Sequence, residues 1–188
     1  HPHGIGRRQR QMCIRDRAIP GHHLDRTIAV ELKNVPDFQR YTASTAFVEG
    51  WGLYSEQLAN EMGLYSNDVQ QLGRLGNDAW RACRLVLDTG MHGMGWSRDS
   101  AIDFFRSNSP IEEINANIET DRYIAWPGQA CSYKMGQLTI EQLRKKAEEE
   151  LGEKFDIRYF HDEVLCDGGI TLPILENKID SFIEKFRN

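Results

Sequence analysis

Apolar residues recur along this 188-residue chain at the spacing of helices rather than strands. Phe47, Trp51, Tyr54, Leu58 and Met62 follow one another at helical steps, which predicts an α-helix over about 42–62 with those side chains inward. Gly63 is placed to end it. A second helix is expected over about 67–89, with Leu72, Leu75, Ala79, Ala82 and Val86 as its inward stripe. Ser97 offers an N-cap to a helix through Phe105. Ser109-Pro110 followed by Glu112 and Glu113 reads as another helix start, with the acids near the positive end. After Pro127-Gly128, Leu138, Leu143, Ala147 and Leu151 mark a long amphipathic segment. Asp156 caps a short helix holding Phe160 and His161, and Asp167-Gly168-Gly169 is a turn. Thr171 then opens a last helix with Leu172, Leu175, Ile179, Phe182 and Phe186 inward. Nearer the start, Pro20-Gly21 precedes a helix into Leu32, and Pro36 interrupts the pattern. Neither a repeat nor sustained strand alternation is present, so the expectation is one mostly α domain.

Composition changes this picture in one place. Residues 1–17 hold five arginines and one Asp, whereas the remainder carries 18 basic against 27 acidic groups. The first stretch also lacks a hydrophobic period. It is expected to be a loop or disordered segment, foreign to the acidic body that begins at Ala18. An acidic body gives no reason to expect a nucleic-acid partner. No apolar run approaches the roughly 18 residues of a membrane span. The four cysteines, Cys13, Cys83, Cys131 and Cys166, form no CxxC pair and are read as free thiols.

Candidate chemistry gathers at two motifs. In Ala18-Ile19-Pro20-Gly21-His22-His23, two adjacent histidines follow a turn. They serve either as a polar helix start or as a source of one metal-binding imidazole, and a catalytic zinc needs three protein ligands and an open position. In Glu49-Gly50-Trp51-Gly52-Leu53-Tyr54-Ser55-Glu56, the two glutamates share a helical face opposite the apolar stripe. The bland reading is a solvated acidic face. The two glycines argue against it, since each costs a helix about 1 kcal/mol relative to Ala and suits close backbone approach. A Glu on a second helix about 25 residues beyond a histidine is the ligand layout of helical Glu-zincin peptidases, and Glu49 lies 27 positions after His22 and 26 after His23.

From Ala18 to the last helix the chain resembles the bacterial domain of unknown function 885 family, zinc metallopeptidases of the zincin type by expectation. The carriers are AIPGHHL at 18–24, EGWGLYSE at 49–56, RACRLVLDTGMHGMGWS at 81–97, DRYIAWPGQACSYKMG at 121–136, Leu143-Arg144, and FHDEVLCDGGITLPIL at 160–175. The resemblance implies the C-terminal portion of a helical Glu-zincin-like domain spanning 18–188, a zinc cofactor, a peptide substrate, and secreted or periplasmic relatives. It implies a first motif of the form His-Glu-x-x-Pro-Gly-His-His, whose leading His binds zinc and whose Glu is the general base. Asp16 and Arg17 stand at those positions. A guanidinium does not act as a base at ordinary pH, so the chain is expected to be inactive as it stands, either through a junction foreign to the body or as a pseudoenzyme acting as a metal-free scaffold. The metal ligands implied are Glu49 and one of His22 and His23, with His22 favoured by the family spacing. His92, described by the sequence as following a helix among glycines, and Tyr123 or Tyr133 are the expected oxyanion donors, and Arg122 the anchor for a substrate carboxylate. For each of these, a cap, core packing or a surface pair is the competing reading. Gln129 is read as substrate positioning or a cap, Asp88 as a histidine acceptor or a helix end, and His161 as structural.

Overall fold

Residues 17–187 are described in the computed structural model of the chain. Their element order is α1 (His22–Glu31), α2 (Asp37–Tyr41), α3 (Thr45–Glu61), α4 (Asp68–Met94), α5 (Arg98–Asn108), α6 (Glu113–Ala125), α7 (Ser132–Leu151), a 3₁₀ turn (Gly152–Lys154), α8 (Ile157–Leu165) and α9 (Leu172–Arg187). The described residues contain no strand.

The organising contact is α3 against α7. A Cβ on Gly50 would fall 2.9 Å from the Gln137 amide nitrogen, and one on Gly136 would fall 2.7 Å from the Gly50 Cα. Backbone therefore meets backbone, and the α3 glycines do serve close approach. The middle of α3 is enclosed on every side: Gly50 through Glu56 are all buried. Glu56 is 4 % exposed, which sets aside the bland solvated-face reading for that residue. Neighbouring helices cover the face opposite the Phe47/Trp51/Tyr54 stripe, which the period of α3 alone does not reveal.

Two apolar cores flank this helix pair. The first joins Phe47, Trp51 and Tyr54 to Ile140, Leu143, Ala147, Leu151, Phe160, Leu175, Ile179 and Phe182. The second joins Cys83 and Leu87 to Ala101, Ile102, Phe105, Ala116 and Tyr123. At roughly 1.5–3 kcal/mol for each fully buried large side chain, such packing is what offsets the entropy of ordering the helices.

Several boundaries and phases differ from the sequence reading. The α4 stripe proposed from its aliphatics is turned outward: Leu72, Leu75 and Val86 are 71 %, 52 % and 39 % exposed. Inward lie Cys83 and Leu87, with Trp80 and Met91 packed beside them, and next to them a polar row of Asn77, Arg81, Arg84 and Asp88. The period was right and the phase wrong, because the buried row is charged. Met62 and Leu138 are also exposed, Ile140 taking the α7 position assigned to Leu138. Ser109 does not start a helix. It closes α5, its hydroxyl donating to the Phe105 carbonyl, and Glu112 is the residue that precedes α6. Ser97 and Asp156 cap α5 and α8 through side-chain oxygens, as their positions suggest. Cys83, Cys131 and Cys166 are free thiols.

His161 is half-buried at the edge of the first core, edge-on to Trp51, with its Nε2 2.7 Å from the Tyr54 hydroxyl. Burial, reinforced by Arg144, depresses its pKa from 6.5 to about 4. The unfolded chain therefore binds more protons at this residue between about pH 6.5 and 4, so its contribution to stability is complete above 6.5 and is lost as pH falls towards 4. Denaturant melts at pH 7 and pH 4.5 are expected to show a larger loss on acidification for the chain than for His161→Gln. Equal losses would refute the assignment.

Candidate metal and substrate site

The two cores leave a polar seam where α1, α3, α4, α6 and α7 approach one another, and most of the predicted site residues fall in it. The Trp51 indole donates to the Pro20 carbonyl at 2.9 Å, fixing the turn that leads into α1. One residue past Gly21, the His22 imidazole then packs against α3 at Gly52. A Cβ there would fall 2.6 Å from the ring's Cε1 and 2.8 Å from Nε2, so the second glycine of EGWGLYSE makes room for a histidine. His22 Nε2 stands 3.3 Å from Glu49 Oε2, each side chain about a quarter exposed. His23, one position further round α1, is exposed. Burial raises the Glu49 pKa, but His22, a hydrogen bond from Tyr133 and the charge of Arg84 outweigh it and hold the carboxyl below its ordinary range.

From Glu49 the network runs on through α7 and α6. Tyr133 accepts a hydrogen bond from Gln129 Nε2 at 3.3 Å, and Gln129 Oε1 accepts from Arg122 Nη1 at 2.8 Å. Arg122 Nη2 and Arg84 Nη2 both donate to Glu119 Oε2 at 3.0 Å, and the Tyr123 hydroxyl donates to the same oxygen at 2.7 Å. Burial raises the Glu119 pKa, yet the bonds from Arg122 and Tyr123 and the nearby charges bring it below the ordinary value. Tyr123 is itself buried and also accepts from Arg84 Nε at 2.7 Å and from the Trp80 indole at 3.3 Å. Its hydroxyl is thus committed to holding Arg84, and burial pushes its pKa up to about 12.

His92 joins this arrangement from behind. It lies inside the last turn of α4, which extends to Met94 before the left-handed Gly95 closes it. Its Nε2 donates to the Tyr123 backbone carbonyl at 3.1 Å, which ties α4 to the end of α6. The Asp88 carboxylate is engaged elsewhere than on a histidine: both of its oxygens accept from the Gly128 amide, at 3.0 and 2.9 Å, and it anchors the loop ahead of α7. Arg17 is exposed, and Asp16 lies outside the described residues.

Two members of the network, Arg84 and Glu119, were not singled out from the sequence. Both had a signal. Asn77, Arg81, Arg84 and Asp88 recur at helical spacing as an apolar stripe would, and Glu119 sits three and four positions before Arg122 and Tyr123, where helical neighbours meet. Among the described residues no three His, Cys, Asp or Glu side chains gather as a metal-binding group; His22 and Glu49 supply two such side chains. No helix among the described residues is long and apolar enough to cross a membrane.

With this geometry in place, comparison with known proteins identifies the lineage. The family described as "Bacterial protein of unknown function (DUF885)" matches residues 9–179, across the compositional break at Arg17. The chain belongs to the DUF885 family. A candidate lipoprotein from Colwellia psychrerythraea superposes with a TM-score of 0.87 at 41 % identity, over 89 % of this chain and 29 % of the other. A candidate lipoprotein of unknown function from Shewanella oneidensis superposes at 0.82 with 23 % identity, over 89 % of this chain and 30 % of the other. The DUF885 chain thus spans about three tenths of the length of these solved relatives. No curated protein matches it.

Proposed function

We propose that this chain carries two of the three zinc ligands of a peptidase, His22 and Glu49, and that Arg17 leaves it without a general base. The observation that best supports the reading is the approach of His22 Nε2 to Glu49 Oε2 at 3.3 Å. Two donor atoms each about 2.0–2.1 Å from a tetrahedral zinc stand about 3.4 Å apart, so this pair already has the spacing of two corners of such a site. The third ligand would come from position 16. When bound, the metal supplies a Lewis acid and a water of lowered pKa. The chain's own residues do the rest. Gln129 holds the Tyr133 hydroxyl beside Glu49, and its single proton, donated to Glu49 here, would turn to the oxyanion that develops on the substrate carbonyl. Arg84, stacked 4.5 Å from the centre of the Tyr133 ring, fixes that ring from below. The candidate lipoprotein at 41 % identity supports a location outside the cytoplasm.

Zinc titration tests the reading. The chain as it stands is expected to bind one zinc weakly, and His22→Ala and Glu49→Gln are each expected to abolish that binding. Gly52→Ala is the sharper probe, since the new methyl displaces the end of a flexible imidazole while the helix gains up to about 1 kcal/mol of propensity. It is expected to weaken zinc binding with no fall in melting temperature. A metal-free scaffold, the second reading, draws on Arg17 and requires that none of these variants alter zinc uptake.

A further inference from the structure

We propose that Arg122, paired with Arg84 on a single carboxylate, is the seat for a free carboxylate of the peptide substrate, within about three residues of the bond that is cleaved. The inference rests on the peptidase reading and deepens it. Charge makes the first argument. Glu119 Oε2 accepts from both guanidiniums and from Tyr123, so two cations converge on one carboxylate at this end of the network, with Glu49 at its other end. The two cations are not equivalent. Arg84 is 8 % exposed and enclosed by rings, its guanidinium 5.5 Å from Trp80, 5.6 Å from Tyr123 and 4.5 Å from Tyr133. It contributes field and not contact. Arg122 is 32 % exposed, and its bonds to Gln129 through Nη1 and to Glu119 through Nη2 take one of the two N–H groups on each terminal nitrogen. A planar guanidinium with spare donors matches a carboxylate in two parallel hydrogen bonds.

Position makes the second argument. Arg122 connects to Glu49 through Gln129 and Tyr133 alone. Links of ordinary hydrogen-bond length through those two side-chain tips cannot exceed about 12 Å, or at most about three residues of extended chain. A carboxylate seated on Arg122 therefore leaves a nearby peptide carbonyl within reach of the His22–Glu49 pair. The carboxylate is either the peptide's C-terminus or an acidic side chain, and the chemistry of the seat is the same for both.

Calorimetric titration of the whole chain in the presence of a chelator separates these cases without requiring activity. The probes are N-acetyl-Ala-Ala as the free acid, its C-terminal amide, and N-acetyl-Asp-Ala amide, with circular dichroism confirming that each variant is folded. The free acid is expected to bind at least about tenfold more tightly than its amide, the scale of a charged hydrogen-bonded pair. Arg122→Gln is expected to remove that preference and Arg122→Lys to keep part of it. Binding of the Asp peptide as tight as that of the free acid would assign the seat to acidic side chains, and weaker binding would assign it to C-termini. Acid and amide behaving alike, absence of heat included, would overturn the proposal, as would a preference that survives Arg122→Gln. Zinc uptake measured on the same preparations after dialysis to remove the chelator keeps the two readings apart: a carboxylate preference without zinc binding sinks the peptidase and spares the seat, and the reverse result does the opposite.

Discussion

A chain carrying Asp16→His and Arg17→Glu is expected to bind one zinc per molecule at least about a hundredfold more tightly than the unaltered chain. Losing a residue that merely supports a zinc ligand costs 10–100-fold in affinity, and the repair supplies a ligand outright. It also removes a cation. Arg17 would stand beside a divalent ion and repel it, whereas a glutamate there adds attraction and provides the base that takes a proton from the metal-activated water. The two changes have separable effects. Asp16→His alone is expected to bring zinc without hydrolysis, and Arg17→Glu alone neither in full measure. Elemental analysis after dialysis reads the metal, and cleavage of a fluorogenic peptide reads the chemistry. A doubly altered chain that is folded and free of zinc would end the peptidase reading.

The second large effect concerns stability. Gly136→Ala is expected to destabilise the chain by about 3 kcal/mol or more, a fall in Tm of about 6–12 °C for a domain of this size. In an exposed helix the same substitution gains about 1 kcal/mol. Here the new methyl would fall 2.7 Å from the Gly50 Cα, with the Ala46 carbonyl closer still. Both are backbone atoms, which cannot rotate aside. Gly50→Ala meets the Gln137 amide and is expected to behave alike. Gly93→Ala is the control, because nothing lies within 4 Å of its Cβ position, and it is expected to raise Tm slightly. Thermal melts of the three variants check the set, and a neutral Gly136→Ala would mean that α3 and α7 do not touch at these residues.

Much of this architecture was legible because helices announce themselves by period and punctuation. The helix around Trp51, the caps at Ser97 and Asp156, and the glycines that admit a neighbour all followed from local rules. What escaped was phase where the buried row is polar. On α4 the aliphatics Leu72, Leu75 and Val86 look outward, and the inward row includes Arg84 and Asp88, whose partners come from α6 and the loop before α7. No local rule credits Arg84 with burial, since what makes it tolerable is Glu119, 35 residues away. The site was legible in its motif-borne half, His22, Glu49 and Tyr133, and illegible in the half created by tertiary pairing. His92 was misplaced for a simpler reason: glycines at 90 and 93 suggested that the helix had ended, whereas Gly90 is tolerated because Trp96 packs on it.

The polar row of α4 sets how that helix is attached. Apolar contacts are forgiving of small slides and rotations, whereas Asp88 on the Gly128 amide, Arg84 on Glu119 and Lys134 on Asp78 are directional. Along this edge α4 works as a keyed joint: its axial register is defined by several bonds that form together or not at all. A slip of one residue would unseat Arg84, Asp78 and Asp88 at once, so the helix docks in a single register and carries Arg84 to the same place beneath Tyr133 each time.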